Sequence, residues 1–244
     1  MGRIFITGSA DGLGQLAAKS LTEQGHQVLL HARDERRGKD ALAAVPSAMG
    51  VVTADLSSTE ETKKLADKVN EHGPFDAVIH NAAVYQAPGE LIFSVNILAP
   101  YILTCLIHRP ERLIYMSSGM HRGGQVNLEN FKGSTSEITY SDSKLYMLML
   151  ANAVARRWPE VYSNAIDPGW VPTKMGGANA PDDLEEGYET QIWLAVSDEP
   201  GAKVSGRYLH HKREDEHNPE ADGVETQDRF IKLCEEITGV SLPE

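Results

Sequence analysis

Cysteine is scarce: Cys105 and Cys234 are the only two in 244 residues, so no disulfide framework staples this chain and no Cys-x-x-Cys pair offers a metal site. Basic runs are missing as well. With a net charge of −12, the composition argues against nucleic acid or an anionic membrane as the main partner. No apolar run approaches the roughly 20 residues that span a bilayer. The first strand-like run starts at Arg3, so no signal peptide is expected. The expectation is a cytoplasmic protein with reduced cysteines that binds neither nucleic acid nor membrane. The nine histidines, His210, His211 and His217 among them, show no ligand spacing, so no metal is expected. Internal repeats and low-complexity linkers are absent. Hydrophobic residues at 41% and charged residues at 24% match ordinary globular usage, which excludes wholesale disorder.

What is present is an alternation of short apolar runs with amphipathic segments of helical length, the pattern of a parallel sheet covered on both faces. Seven strands are predicted, at Arg3–Thr7, Gln27–His31, Gly50–Thr53, Ala77–His80, Arg112–Met116, Tyr162–Ile166 and Gly206–Leu209. Leu13, Leu16, Ala17 and Leu21 form a helical stripe that Gly25 stops, and a second helix runs from Ser58 to Glu71. Ser141–Trp158 is apolar all round, so its outer face must be covered, either by a neighbouring helix or by a second subunit in a homo-oligomer. Gly176–Gly187 reads as a mobile loop, Lys212–Gly223 as a charged connection, and Thr226–Thr238 as a last helix. Residues 1–244 are expected to form one α/β domain, a doubly wound sheet of about seven strands.

Tyr140 and Lys144 lie four residues apart, one helical turn, so a phenol and an ammonium share a face. A tyrosine of pKa near 10 needs a shift of about 3 units to exchange protons at neutral pH, at roughly 1.4 kcal/mol per unit. An ammonium about 4 Å away supplies on the order of 4 kcal/mol at an effective dielectric near 20. The lysine is therefore expected to lower the tyrosine pKa. Upstream, Thr7-Gly8-Ser9-Ala10-Asp11-Gly12-Leu13-Gly14 follows a strand and opens a helix. In that position glycines let backbone amides approach a pyrophosphate at a helix N-terminus.

The glycine turn, Asp55-Leu56, Asn81-Ala82-Ala83, Asn96, Ser118, Tyr140-x-x-Ser143-Lys144 and Pro168-Gly169-Trp170-Val171-Pro172-Thr173 occur in order, each after the expected strand. Together they resemble the short-chain dehydrogenase/reductase family over nearly the whole chain. His31-Ala32-Arg33-Asp34, Ser117-Ser118-Gly119-Met120-His121 and Asn127-Leu128-Glu129-Asn130-Phe131 are similar to the retinol-dehydrogenase-like branch, which mainly uses NADP(H). The resemblance implies a Rossmann-type fold and hydride transfer between a nicotinamide and a carbonyl or alcohol.

On that resemblance Tyr140 is the proton donor, and Ser118 holds the developing alkoxide. Lys144 holds the nicotinamide ribose, and Asn96 kinks its helix and holds a water that connects Lys144 to solvent. Ser117 is the rival to Ser118. Gly8, Asp11, Gly12, Leu13, Gly14, Asp55, Leu56, Asn81, Ala82, Ala83, Pro168, Gly169, Val171 and Thr173 surround the cofactor, with Asp55 toward the adenine. NAD-selective members carry an acid after the second strand; here Ala32 and Arg33 stand there, so Arg33 is expected to pair with a 2′-phosphate, with His31 assisting. Asp11 sits where some NADP-selective relatives have a base. Ala83 replaces the usual glycine, and the stretches from Asn81 to Asn96 and from Asn96 to Ser118 are short for the family. The leading expectation is an NADPH-dependent reductase of a modestly hydrophobic aldehyde or ketone. An NAD-linked alcohol dehydrogenase and a silent dinucleotide-binding regulator are the alternatives.

Overall fold

The apolar runs become strands in a computed structural model that describes every residue from Met1 to Glu244. They are β1 (Arg3–Ile6), β2 (Gln27–Ala32), β3 (Gly50–Thr53), β4 (Ala77–His80), β5 (Arg112–Met116), β6 (Tyr162–Asp167) and β7 (Tyr208–His210), all parallel. An eighth strand, β8 (Arg213–Glu214), pairs antiparallel with β7 and falls in the stretch read as a plain connection. The sheet order is β3-β2-β1-β4-β5-β6-β7-β8. β4 and β5 are buried on both faces, which is why their sequences are continuous apolar runs without alternation.

One face of the sheet carries α3 (Thr59–Glu71), α5 (Ala99–Leu106), α7 (Tyr140–Arg157) and α9 (Val224–Thr238) over a core of 45 buried residues. The other carries α1 (Gly12–Glu23), α2 (Glu35–Ala44) and α8 (Leu184–Val196) over a smaller core of 18. Short helices α4 (Gly89–Ile92) and α6 (Asn130–Gly133) complete the set. The larger core explains α7. Its apolar residues pack against β5 and β6 below and against α9 and the turn Pro219–Asp222 above, so none of its large apolar side chains is exposed. Of the two covers left open for this helix, a neighbouring helix or a second subunit, packing within the chain accounts for its large apolar side chains.

Asp183 caps α8 through the N–H groups of Glu185 and Glu186, so the expected loop ends at Asp183 rather than at Gly187. Contrary to the expectation from the sequence, one helical stretch, Gly89–Leu106, does have the length and hydropathy of a membrane span, and 78% of it is buried in the fold. Its middle, Phe93–Leu98, is π-helical.

Chain direction across the sheet reverses between β1 and β4, and a crevice opens beyond the carboxyl ends of the strands there. Thr7 and Ser117 extend the ladders one residue past β1 and β5, donating to Ile79 and Ile166 at 3.0 and 2.8 Å. The residues after β1, β4, β5 and β6 thus converge at one end of the sheet.

Candidate active site

The floor of the crevice is the glycine turn after β1. Gly8 has φ +64°, and a Cβ there would lie 2.9 Å from Ala82 Cα. At Gly14 a Cβ would meet Asn81 Nδ2 at 2.4 Å, so the turn and the segment after β4 approach too closely for side chains. Asn81 locks this approach, donating from Nδ2 to the carbonyls of Thr7 and Gly8 at 3.0 and 3.2 Å, while Ala82 N–H donates to Thr7 Oγ1 at 3.0 Å. His31 completes the frame. Its Nδ1 accepts from Gly8 N–H at 3.0 Å, and its Nε2 lies 3.1 Å from the Ala54 carbonyl. Burial pushes its pKa down to about 4, so the ring is neutral and both nitrogens are committed. This corrects the expectation that His31 assists with a phosphate.

Gly8, Gly12, Leu13, Asp55, Leu56, Asn81, Ala82, Ala83, Pro168 and Thr173 line one cavity of about 600 Å³, together with Lys144, Tyr140 and Arg33. Gly14 lies beneath the turn. Asp55 Oδ1 accepts from the N–H and hydroxyl of Ser57 at 2.9 and 2.8 Å, which leaves its second oxygen without a hydrogen bond. Asp11 caps α1 through Gly12 N–H, and its carboxylate faces Arg37 at 3.9 Å and bonds Lys174. The Lys174 hydrogen bond, aided by the Gly12 N–H and the two cationic charges, holds its carboxyl below the usual range. Arg37 and Lys174 share this cavity with Arg33 and were missed in the sequence. Arg37 stands four residues after Arg33, on α2, a helix without an apolar stripe because its buried residues are only Gly38 and Ala41.

A second cavity of about 910 Å³ adjoins the first and contains Ser118, Tyr140, Asp167, Gly169, Val171 and His210. Tyr140, Pro168 and Thr173 face both. A capping box between Thr139 and Asp142 starts α7 at Tyr140, which fixes the phenol at the junction of the cavities. Lys144 follows one turn later, its Nζ 5.2 Å from the centre of the tyrosine ring. That ammonium is buried and donates to the Met116 carbonyl at 2.7 Å.

The electrostatics here differ from the sequence expectation. Burial, then the negative charge of Asp167, hold the Tyr140 phenol well above its ordinary pKa, despite the neighbouring Lys144. Lys144 itself falls to about 7, because burial outweighs the attraction of Asp167. The lysine charge is thus weakened by the desolvation that brings it near the phenol.

The two serines separate by partner. Ser117 is buried, and its hydroxyl donates to the Lys144 main-chain carbonyl at 2.8 Å. Ser118 Oγ accepts from Met120 N–H at 3.2 Å, which leaves its own proton free in the cavity that holds Tyr140. Asn96 lies in the π-helical stretch. Its Oδ1 accepts from Val84 N–H at 2.8 Å, and its Nδ2 donates to the Val84 carbonyl and to Ser143 Oγ, each at 3.0 Å. The expected irregularity in its helix is present. The amide fastens the loop after β4 to α7, with both hydrogens committed.

A sequence profile described as short chain dehydrogenase matches residues 3–184. An uncharacterized oxidoreductase of Emericella nidulans, AN7799, is 45% identical over all of this chain and 99% of its own length. The short-chain dehydrogenase chyC of Penicillium rubens is 39% identical, with all of both chains covered. Retinol dehydrogenase 14 of mouse is 26% identical over 97% of this chain and 86% of its own. Among solved structures, a short-chain dehydrogenase/reductase of Serratia marcescens superposes with a TM-score of 0.71 at 20% identity, covering 85% of this chain and 95% of that one.

Proposed function

The chain belongs to the short-chain dehydrogenase family and is an oxidoreductase, and from that premise we propose that it reduces a modestly hydrophobic aldehyde or ketone with NADPH. The observation that carries this reading is the position of Tyr140 at the junction of two cavities, one built on a glycine cradle and edged by arginines, the other apolar at its rim. The close approach of Gly8 to Ala82, which a Cβ would close, fits a dinucleotide backbone. Gly12, Leu13 and Thr173 would flank its pyrophosphate, Asp55 its adenine, and Lys144 its nicotinamide ribose. Arg33, with Arg37 beside it, would pair with the 2′-phosphate.

When bound, the nicotinamide supplies the hydride. Tyr140 supplies the proton, and its raised pKa keeps it protonated at neutral pH, the state a reduction requires. Ser118 donates to the carbonyl oxygen as charge develops there, a contribution of roughly 3–4 kcal/mol in comparable sites. Tyr85, Met120, Trp170 and Met175, each at least 37% exposed, form the rim and favour an apolar substrate. One observation favours NAD instead: Asp11 already partly neutralises Arg37 and Lys174. Titrating NADPH and NADH into the protein, then following their oxidation over a panel of aldehydes and ketones, tests the reading. Equal binding of both nucleotides would favour the NAD-linked alternative.

A further inference from the structure

Ser118 is held through its side chain and its main chain at once. Its Oγ accepts from Met120 N–H at 3.2 Å, and its main-chain carbonyl lies 3.0 Å from His121 N and 2.6 Å from His121 Nδ1. The other nitrogen of that ring, Nε2, lies 3.2 Å from the main-chain nitrogen of Asn218. A carbonyl can only accept and a main-chain N–H can only donate. The two contacts therefore fix one tautomer, with the proton on Nδ1 and Nε2 as the acceptor. The ring is fully buried and packs on Tyr208 with ring centres 4.5 Å apart. Burial holds its pKa below the ordinary value, so it is neutral, as both bonds require.

Asn218 anchors the far side of the ring. Its Oδ1 accepts from Glu220 N–H at 3.0 Å and caps the turn Pro219–Asp222, which packs on α7. There Asn152 Nδ2 donates to Asp222 Oδ1 at 3.1 Å. The first residue of α7 is Tyr140. One imidazole thus ties the main chain of Ser118 to a turn seated on the helix of the proton donor. Satisfying buried main-chain groups does not account for it, because the Ser118 carbonyl already accepts from His121 N–H. The second bond restricts rotation of the peptide between Ser118 and Gly119, directly beside the hydroxyl that enters the second cavity.

We propose that His121 is a positioning residue, whose Nδ1–H holds the Ser118 carbonyl and so presents the Ser118 hydroxyl to the substrate oxygen beside Tyr140. The inference rests on the reductase reading of the same site. A hydrogen-bond donor stabilises developing charge only where it is already aimed at that charge, so an unrestrained Ser118 would lose rate rather than binding.

The test is a pair of variants that separate the two bonds of the ring, each measured in the full chain with NADPH and the best carbonyl of the panel. In His121→Asn the amide nitrogen takes the place of Nδ1 and keeps a donor for the Ser118 carbonyl, while the bond to Asn218 is lost. In His121→Gln the amide oxygen takes the place of Nε2 and accepts from Asn218 N–H, while Ser118 loses its second donor. Both lose the ring packed on Tyr208, so melting temperature should fall alike in the two. His121→Gln should lower kcat by about 10-fold with KM and NADPH affinity within about twofold, whereas His121→Asn should keep kcat within about threefold of wild type. In the Ser118→Ala background His121→Gln should lower the rate no further, because the ring acts through that hydroxyl. Equal kcat in the two variants, or an undiminished loss in the Ser118→Ala background, overturns the inference while the reductase reading stands. Should neither variant fold, long-range proton–nitrogen NMR of the wild-type imidazole decides: a proton on Nδ1 supports the inference and a proton on Nε2 overturns it. A wild type that reduces no carbonyl with NADPH or NADH overturns both.

Discussion

Ser117 and Lys144 are joined by a 2.8 Å hydrogen bond from the serine hydroxyl to the lysine main-chain carbonyl. That bond assigns Ser117 to the support of α7 and leaves Ser118 as the free hydroxyl. Ser118→Ala should lower kcat on the order of 100-fold with little change in melting temperature. Ser117→Ala should instead reduce stability by about 1 kcal/mol, with the smaller loss in rate. Steady-state kinetics beside thermal melts check this, and the reverse ranking would move the oxyanion donor by one residue.

Lys144 makes stability depend on pH in a definite direction. Its pKa is about 7 in the folded, nucleotide-free protein against an ordinary value of 10.5, so between these pH values the unfolded chain binds more protons. The penalty for burying the ammonium is complete below about pH 7 and relieved as pH rises toward the unfolded value. Wild type should therefore gain stability relative to Lys144→Met by about 1.4 kcal/mol per pH unit within that window. Paired denaturant titrations from pH 6 to 10 measure the difference, and a flat difference contradicts the buried ammonium.

Arg33, Arg37, Lys174 and Asp11 all line the first cavity, where Asp11 pairs with Arg37 and Lys174. Arg33→Ala and Arg37→Ala should each weaken NADPH more than NADH, by roughly 10-fold or more, and the preference should shrink as salt rises. Asp11→Asn keeps the acceptor for Gly12 N–H but releases Arg37 and Lys174, so it should strengthen NADPH several-fold more than NADH. Fluorescence titration at two ionic strengths reads all three variants. NADPH affinity unchanged in every one would remove the phosphate from these residues.

The parallel strands and the glycine turn were legible because each is written locally, in apolar runs and in glycines that follow them. β8 was not, since Arg213 and Glu214 are both exposed and carry no apolar signature. α2 hid for a related reason: Gly38 and Ala41 bury its inner face without a hydrophobic stripe. The site residues lie together as the motifs implied, but their partners are set by tertiary contacts that spacing cannot show. Asp11 and Lys174 are separated by 163 positions, and His31 reads as a helper to a phosphate although the fold buries it. The expected tuning of Tyr140 by Lys144 failed because helical spacing predicts proximity but not desolvation, which here raises the phenol and lowers the amine.

The central claim is that Tyr140 delivers the proton in an NADPH-dependent carbonyl reduction. Tyr140→Phe removes one hydroxyl and leaves the ring packed against Tyr85, so the nucleotide site should be preserved. The most direct measurement sets NADPH affinity beside the rate of NADPH oxidation with the best carbonyl found in the panel, for wild type and for this variant. The account predicts affinity within about twofold and a rate lower by at least 100-fold, in line with the range for a lost general acid. A variant that binds NADPH equally well and reduces the carbonyl at near wild-type rate would contradict it.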